Sequence, residues 1–459
     1  MTGRRRLVVV SNRVAAPRAG SPGNQGGLAV ALESALKQTR GIWFGWSGET
    51  VDEFNGHIRL ERNQGITTAT IDLTPEDVAS YYEGYSNRTL WPLFHYRIDL
   101  AEYDRQFEAG YASVNRRFAE TLAQLLDPDD IVWVHDYHLI PLARELRALG
   151  VCNRIGFFLH TPWPPVRLLT TLPDHRQLVE ALFSYDLLGF QASEWLDSFT
   201  DYVTREADGR LGPDGEVAGF GLKTEAALFP IGIDAAAFRR AAQSPEARAM
   251  AKRMRTSIAG RHMLVGVDRL DYSKGLEERF LGYERFLSED PESLNRVFLL
   301  QIAPPSREGI GSYQEIRDKL DQLSGRINGA HAEVDWVPLR YVNRGYSRRE
   351  LAGIFRTARV GLVTPLRDGM NLVAKEYVAA QDAADPGVLV LSRFAGAAED
   401  LAEALLVNPF SQEDIADSIR QALAMERPER IRRWEALMAR VETNDVAHWQ
   451  KAFLSRLAG

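Results

Sequence analysis

Arg269 and Lys274 stand five apart in the run Asp268-Arg269-Leu270-Asp271-Tyr272-Ser273-Lys274-Gly275, directly after a short apolar stretch. A guanidinium there can hold two oxygens of a diphosphate at once, with the lysine ammonium beside it as a compact charge. The competing reading of such a pair is a solvated face, but the strand-end position ahead of a glycine favours the anion. A second stretch, Val363-Thr-Pro-Leu-Arg-Asp-Gly-Met-Asn-Leu-Val-Ala-Lys-Glu376, supplies backbone for the same chemistry. Its apolar start reads as a buried strand ending at Pro365. Asp368 and Gly369 then form a tight turn, and Asn371 is suited to cap a helix that buries Leu372, Val373, Tyr377 and Val378. The first N–H groups of such a helix are unpaired and its dipole is positive there, so a phosphate is stabilised without a dedicated side chain. Glu376 lies too deep in the helix to cap it and can accept hydrogen bonds from a diol such as a ribose. Taken alone, this segment also fits an ordinary strand-to-helix connection with solvated carboxylates.

The same strand-end placement recurs along the chain. Ser11-Asn12-Arg13 follows residues 7–10, His135-Asp136-Tyr137-His138 follows residues 131–134, His160-Thr161-Pro162-Trp163 follows residues 155–159, and Ser306-Arg307 closes the turn after residues 297–302. Asp136 and His160 each end an apolar run, where a polar side chain costs free energy unless it is satisfied or used. His135 and His138 invite a metal reading, but a strand end does not give helical spacing and no third ligand is evident. There is no Gly-x-Ser-x-Gly, and Gly309-Ile310-Gly311 lacks both a further glycine and a preceding strand, so serine-nucleophile and dinucleotide readings are weaker. Aromatics cluster at Trp43-Phe44-Gly45-Trp46 and from Tyr81-Tyr82 to Trp91-Pro92, as core packing or as platforms for sugar faces.

The elements that must deliver these residues alternate as in α/β proteins with mainly parallel sheets. Strands are expected at residues 7–10, 131–134, 155–159, 186–190 and near 227–229, and again at 263–267, 297–302, 333–337, 360–363 and 388–391. Amphipathic helices are expected at 115–126, 245–258 and 313–323, and residues 208–221 read as a surface loop or hairpin. The stretch 431–457 is helical and charged, with Trp434, Trp449 and Phe453 in need of packing partners. Two Rossmann-like halves with a cleft between their sheets would result, the last helix returning across the first half. With 459 residues, 45% of them apolar, each half can bury a substantial core. A net charge of −7 argues against a nucleic-acid partner. Arg4-Arg5-Arg6 runs into an apolar stretch too short for a signal or membrane span, so a cytoplasmic protein with no membrane partner is expected. The single cysteine, Cys152, excludes an internal disulfide and a cysteine zinc site, and is expected to be an inert, partly buried thiol.

The segments Ser-Asn-Arg13, Gly26-Gly27-Leu28, Trp43-Phe-Gly-Trp-Ser-Gly48, Leu90-Trp-Pro92, His135-Asp-Tyr-His138, Arg269-Leu-Asp-Tyr-Ser-Lys-Gly275 and Arg367-Asp-Gly-Met-Asn-Leu-Val-Ala-Lys-Glu376 resemble the trehalose-6-phosphate synthases, retaining glycosyltransferases of family 20, in order and spacing over residues 7–449. The resemblance implies a GT-B fold: an N-terminal Rossmann-like acceptor domain over residues 1–234, a C-terminal donor domain over 235–440, and a helix over 441–459 crossing back to the first. It implies transfer of glucose, with retention, from UDP-glucose to C1 of glucose 6-phosphate in trehalose biosynthesis, a route tied to stress response and osmoprotection. ADP- and GDP-glucose stay open as donors. No cofactor or metal, a homo-oligomer (dimer or tetramer) and no fused phosphatase domain are expected.

Carried over by the same resemblance, the catalytic set is Asp136, His160, Arg269, Lys274 and Asp368. Arg269 and Lys274 hold the donor diphosphate, Asp368 with Gly369, Met370, Asn371, Leu372 and Val373 meets the donor, and Glu376 binds its ribose. Gly26 and Gly27 close over the donor, and Tyr346 falls where relatives place an aromatic against the base. Arg13, Tyr82, Trp91, Asp136 and Arg307 bind the acceptor, the two arginines taking its phosphate. A related synthase using glycerol 3-phosphate, or a non-catalytic sugar-phosphate sensor, is the alternative.

Overall fold

The computed structural model describes residues 5–14, 32, 35–36, 39–63, 65–307 and 309–459. Gly26, Gly27 and Leu28 lie outside them. Of the described residues, those up to Pro230 together with Trp449–Gly459 form one compact unit, and Ile231–His448 form another.

In the first unit, the described residues build a ten-stranded sheet in the order β3-β4-β2-β1-β5-β6-β7-β10-β9-β8. The strands are β1 (Leu7–Arg13), β2 (Ile42–Thr50), β3 (Arg59–Asn63), β4 (Ile66–Leu73), β5 (Ile131–His135), β6 (Arg154–Phe158), β7 (Leu187–Phe190), β8 (Arg210–Leu211), β9 (Glu216–Gly219) and β10 (Leu222–Leu228). The strands from β4 through β10 pair in parallel, and antiparallel β3 and β9 border them. β1 and β5 are buried along their apolar runs, as strands covered on both faces must be. Chain order reverses between them: β2 lies on one side of β1 and β5 on the other. Residues 208–221 fold as the expected hairpin. The strands β2 to β4 are additional to the expected set, and the Trp43–Trp46 cluster lies on β2.

Six strands in the second unit make a wholly parallel sheet, β13-β12-β11-β14-β15-β16, with β13 and β16 at its edges. Its strands are β11 (His262–Val267), β12 (Val297–Ile302), β13 (Leu339–Val342), β14 (Val360–Val363), β15 (Val388–Ser392) and β16 (Leu405–Val407). Counted within the unit this is the 3-2-1-4-5-6 order of a doubly wound fold, whose ligand crevice opens beyond the strand ends where the order reverses, here between β11 and β14.

Three expectations are corrected. Residues 333–337 are not a strand: Glu333 and Trp336 exchange backbone hydrogen bonds across a tight turn, and the strand begins after Pro338. Trp336 is buried, its indole donating to the carbonyl of Val297 at 2.8 Å. The stretch 431–457 is not one helix but two, Arg427–Thr443 and Val446–Ala458. The break at Asn444 lets its side chain donate to Asp400 at 2.6 Å while the backbone of Val446 donates to Ile233. Cys152 is exposed rather than partly buried. The aromatics of the final stretch find partners: Trp434 donates to the carbonyl of Val378, while Trp449 and Phe453 pack on Trp133 with ring centroids 4.8 and 4.7 Å away.

Candidate active site

In the first unit, the tails of β1 and β5 present Arg13 and Asp136 on either side of the order reversal. The aromatic clusters hold the β1 tail in place. Ser11 accepts from the Trp43 indole at 2.8 Å, Asn12 accepts from the Tyr81 hydroxyl at 2.8 Å, and the Arg13 guanidinium lies 5.7 Å from the centre of the Trp46 ring. Gly48 makes room for that arginine. Its φ is +91°, and a Cβ there would come within 2.2 Å of the guanidinium. Tyr82 packs edge-on against Trp46 at 5.7 Å and stacks on His138 at 6.1 Å. Tyr81, Tyr82 and Tyr85 lie on a wide helix, Val78–Leu90, whose last turn bonds Trp91 N–H to the Ser86 carbonyl five residues back. Such helices are rare and concentrate at functional sites. Trp91 follows it, buried against His95 and Tyr137.

Asp136 takes φ 75° and ψ 165°, a region that non-glycine residues enter at a cost of about 1–3 kcal/mol. The surroundings enforce it: its N–H donates to Phe158 O at 2.8 Å and its carboxylate accepts from the His160 N–H at 3.2 Å. The result aims Asp136 and His160 together from the ends of β5 and β6. Burial pushes the His160 imidazole down to about 3 and that of His135 well below the ordinary value, so both rings are neutral. His135 pairs with His160, Nδ1 to Nε2 at 3.0 Å, while His138 faces Tyr82 and Tyr137; the two histidines of the metal reading do not converge. Among the described residues no group of His, Cys, Asp and Glu is arranged to hold a metal ion.

In the second unit, the loops after β11 and β14 are zipped together. Leu366 N–H donates to Ser273 O at 2.8 Å, and the Lys274 ammonium meets Asp368 Oδ2 at 2.6 Å. Gly275, at φ +62°, lies where a Cβ would be 2.3 Å from the Thr364 carbonyl, so the turn that presents Lys274 requires glycine on both counts. Arg269 is exposed on the same loop. Asn371 caps the helix Leu372–Ala380, accepting from Ala374 N–H at 3.4 Å and donating to Asp368 Oδ2 at 3.1 Å. The stretch from Asp368 to Met370 is braced by Gly396 and Ala397, whose N–H groups donate to the carbonyls of Asp368 and Met370. Leu372 and Val373 are half-buried on the first turn of the helix.

Glu376 is half-buried one turn further along. Among the described residues no group hydrogen-bonds its carboxyl, and desolvation pushes its pKa up to about 7 against the partial offset of Arg348. Tyr346 is half-buried and accepts from Arg344 Nε at 3.2 Å. Arg307 takes φ 51°, its guanidinium bonding the Tyr313 hydroxyl and lying 3.4 Å from Asp271 Oδ2. Leu270, Ser306, Tyr313 and Arg317 line a cavity of about 320 Å³ beside it.

These sites sit in a chain whose relatives are known. The sequence pattern of glycosyltransferase family 20 matches residues 6–459. The chain belongs to glycosyltransferase family 20. A trehalose-6-phosphate synthase from Sinorhizobium fredii is 50% identical over 454 residues, 98% of each chain. An α,α-trehalose-phosphate synthase (UDP-forming) from Burkholderia xenovorans, solved in complex with glucose-6-phosphate, is 49% identical with a TM-score of 0.95, covering 99% of this chain and 100% of its own. An E. coli trehalose-6-phosphate structure bound with UDP-2-fluoro glucose is 45% identical with a TM-score of 0.94, covering 99% of each chain. The protein is therefore a glycosyltransferase with the GT-B fold.

This family-20 chain also contains a supporting layer that strand-end reading did not single out. Arg279 is fully buried, pairs with Asp268, and bonds Gln301 Oε1 at 2.8 Å, Thr364 Oγ1 at 2.9 Å and the Lys274 carbonyl at 3.3 Å. It thereby links the ends of β11, β12 and β14 beneath the Lys274 turn. Asp271 accepts from Ser273 N–H at 2.9 Å and from the Tyr313 hydroxyl at 3.0 Å, with burial and the adjacent carboxylate keeping that phenol neutral. The signal available in sequence was a run of charged residues inside apolar segments, which carries no partner information.

Proposed function

We propose that the protein transfers glucose from UDP-glucose to C1 of glucose 6-phosphate with retention, releasing UDP and α,α-trehalose 6-phosphate. The observation that carries this reading is the order reversal of the second sheet, where Lys274 and a capped helix N-terminus gather, with Arg269 on the Lys274 loop, one turn from a Glu376 carboxyl that no group bonds among the described residues. Cations and N–H groups suit a diphosphate, and the carboxyl suits the two hydroxyls of a ribose. Lys274 and Asp368 hold one another at 2.6 Å, so each is ordered where it is needed: Lys274 turns to the diphosphate and Asp368 to the transferred glucose, with the backbone of Gly369, Met370, Asn371, Leu372 and Val373. Gly26 and Gly27, outside the described residues, are assigned to donor binding, and Tyr346 to the base. In the first unit Arg13, Tyr82, Trp91 and Asp136 are assigned to the acceptor, and in the second unit Arg307 is assigned to its phosphate.

The reaction breaks the bond from C1 to the β-phosphate oxygen and leaves an oxocarbenium-like carbon. The growing charge lies on the departing phosphate, where Arg269, Lys274 and the helix N-terminus stabilise it. The C1 hydroxyl of glucose 6-phosphate adds to the same face, and its proton passes to the departing phosphate oxygen. A neutral His160 with its pKa near 3 is a poor proton acceptor, which fits a role orienting a sugar hydroxyl beside Asp136. All charge stabilisation is assigned to protein groups, so turnover persists in excess chelator. The substrates are charged phosphates that do not cross membranes unaided, and we assign the reaction to the cytoplasm on that ground.

The test is nucleotide release from UDP-, ADP- and GDP-glucose in turn, with glucose 6-phosphate, glycerol 3-phosphate or no acceptor. Release from UDP-glucose that requires glucose 6-phosphate supports the proposal. Release driven by glycerol 3-phosphate instead overturns the acceptor assignment, and binding without turnover of any donor would make the protein a sensor.

A further inference from the structure

His135 is the last residue of β5 and wholly buried, and its backbone pairs across the sheet with Phe158, two residues before His160. The two imidazoles lie with centroids 5.3 Å apart and planes 29° from parallel, and His135 Nδ1 is 3.0 Å from His160 Nε2. One nitrogen must donate and the other accept. On the far side of His160 the Gln191 side-chain nitrogen lies 3.4 Å from Nδ1. An amide nitrogen only donates, so His160 Nδ1 accepts and the ring proton resides on Nε2, aimed at His135. His135 then carries its own proton on Nε2. Among the described residues that buried atom has no hydrogen-bond partner, and the ring it belongs to lies with its centroid 4.6 Å from that of Trp133 and 6.3 Å from that of Trp449 on the last helix. An N–H among indole rings is tolerated as a weak donor to π density.

We propose that His135 is a positioning residue: its Nδ1 accepts the Nε2–H of His160, locking that ring in the one neutral tautomer that presents Nδ1 as an acceptor for a sugar hydroxyl. The catalytic contact belongs to His160, and His135 acts through it. Burial keeps both rings uncharged, so the lock does not open by protonation near neutral pH. Gln191 occupies Nδ1 in the unliganded protein and yields it to the hydroxyl. Trp449 and Phe453, seated on Trp133 and Phe158, make the last helix part of the wall that keeps water from the pair.

The inference rests on the reading that His160 meets a sugar, and its test separates the two. In the full chain labelled with 15N-histidine, long-range 1H–15N correlation reads the tautomer of His160, assigned by its loss in His160→Leu. The expected wild-type result is a single neutral tautomer protonated at Nε2; a proton on Nδ1 overturns the proposal without any variant. His135→Phe keeps a ring but removes the acceptor. It is expected to give a tautomer mixture and a kcat lowered roughly 10–100-fold, the range for removing the group that orients a functional imidazole, with the KM for UDP-glucose near wild type. His135→Asn, whose amide oxygen restores the acceptor, is expected to recover the tautomer and most of kcat. An unchanged tautomer in His135→Phe, or no rescue by His135→Asn, overturns the lock. Full activity in His160→Leu removes His160 from the sugar site and, with it, the consequence drawn for catalysis, while the tautomer spectrum still judges the pairing.

Discussion

Replacing Glu376 by Gln separates the stability of the unliganded protein from its hold on the donor. In the fold the carboxyl titrates near 7 rather than at its ordinary 4.5 because burial disfavours its charged form. The sign follows from proton binding: between those two values the native state holds a proton that the unfolded chain has released, so stability is fully present below about pH 4.5, falls as pH rises, and levels off above about 7. At 1.36 kcal/mol per pH unit the loss is at most about 3 kcal/mol, and water reaching the half-buried carboxyl reduces it to roughly 1–2 kcal/mol. Glu376→Gln has no charge to desolvate. Its melting temperature, followed by calorimetry from pH 4.5 to 8.5 without ligand, is expected to gain on the wild type by a few degrees across that window and then run parallel. With UDP present the order reverses, because an amide cannot accept from both ribose hydroxyls, and losing a hydrogen bond to a charged group weakens binding roughly 10–100-fold. Parallel melting curves over the whole pH range would refute the burial argument, and undiminished UDP affinity would remove Glu376 from the ribose site.

Arg269→Ala is expected to lower kcat by roughly 10²–10³, about 3–4 kcal/mol of transition-state stabilisation; near-normal turnover in a UDP-release assay would exclude it from the mechanism. Gly48→Ala puts a methyl group against the Arg13 guanidinium at a positive φ, so the KM for glucose 6-phosphate should rise about tenfold or more while that for UDP-glucose stays put. An unchanged acceptor KM would show that Arg13 does not read the phosphate. Arg279→Met strands the buried Asp268 carboxylate and is expected to cost about 3–5 kcal/mol in urea unfolding, part of which adding Asp268→Leu should restore. A loss under 1 kcal/mol would mean that the network beneath the Lys274 turn is not structurally coupled.

Polar residues just past apolar runs were legible because parallel sheets place strand ends at one rim, and a reader needs only the runs to find Arg13, Asp136, His160, Arg269 and Arg307. The capping role of Asn371 was legible for a similarly local reason, since side chain and accepted N–H are three residues apart. Strand order was not, because it depends on pairings such as β11 with β14, whose residues are about a hundred positions apart. The supporting contacts were hidden likewise: Arg279 meets Thr364 across 85 positions and Tyr313 meets Asp271 across 42. Tyr313 stands at the start of the helix expected over 313–323, and its hydroxyl donates to Asp271. Where local pattern misled, one tertiary contact explains it. The Asn444 bond to Asp400 interrupts the stretch 431–457 that reads as helical.

The most direct measurement is NMR of the product formed from UDP-glucose and glucose 6-phosphate with a chelator present. The account expects equimolar UDP and a disaccharide monophosphate in which both anomeric protons show the small coupling of α linkages, joined C1 to C1. A β-configured glucosyl unit, a linkage to any other hydroxyl, or free glucose from hydrolysis alone would contradict it.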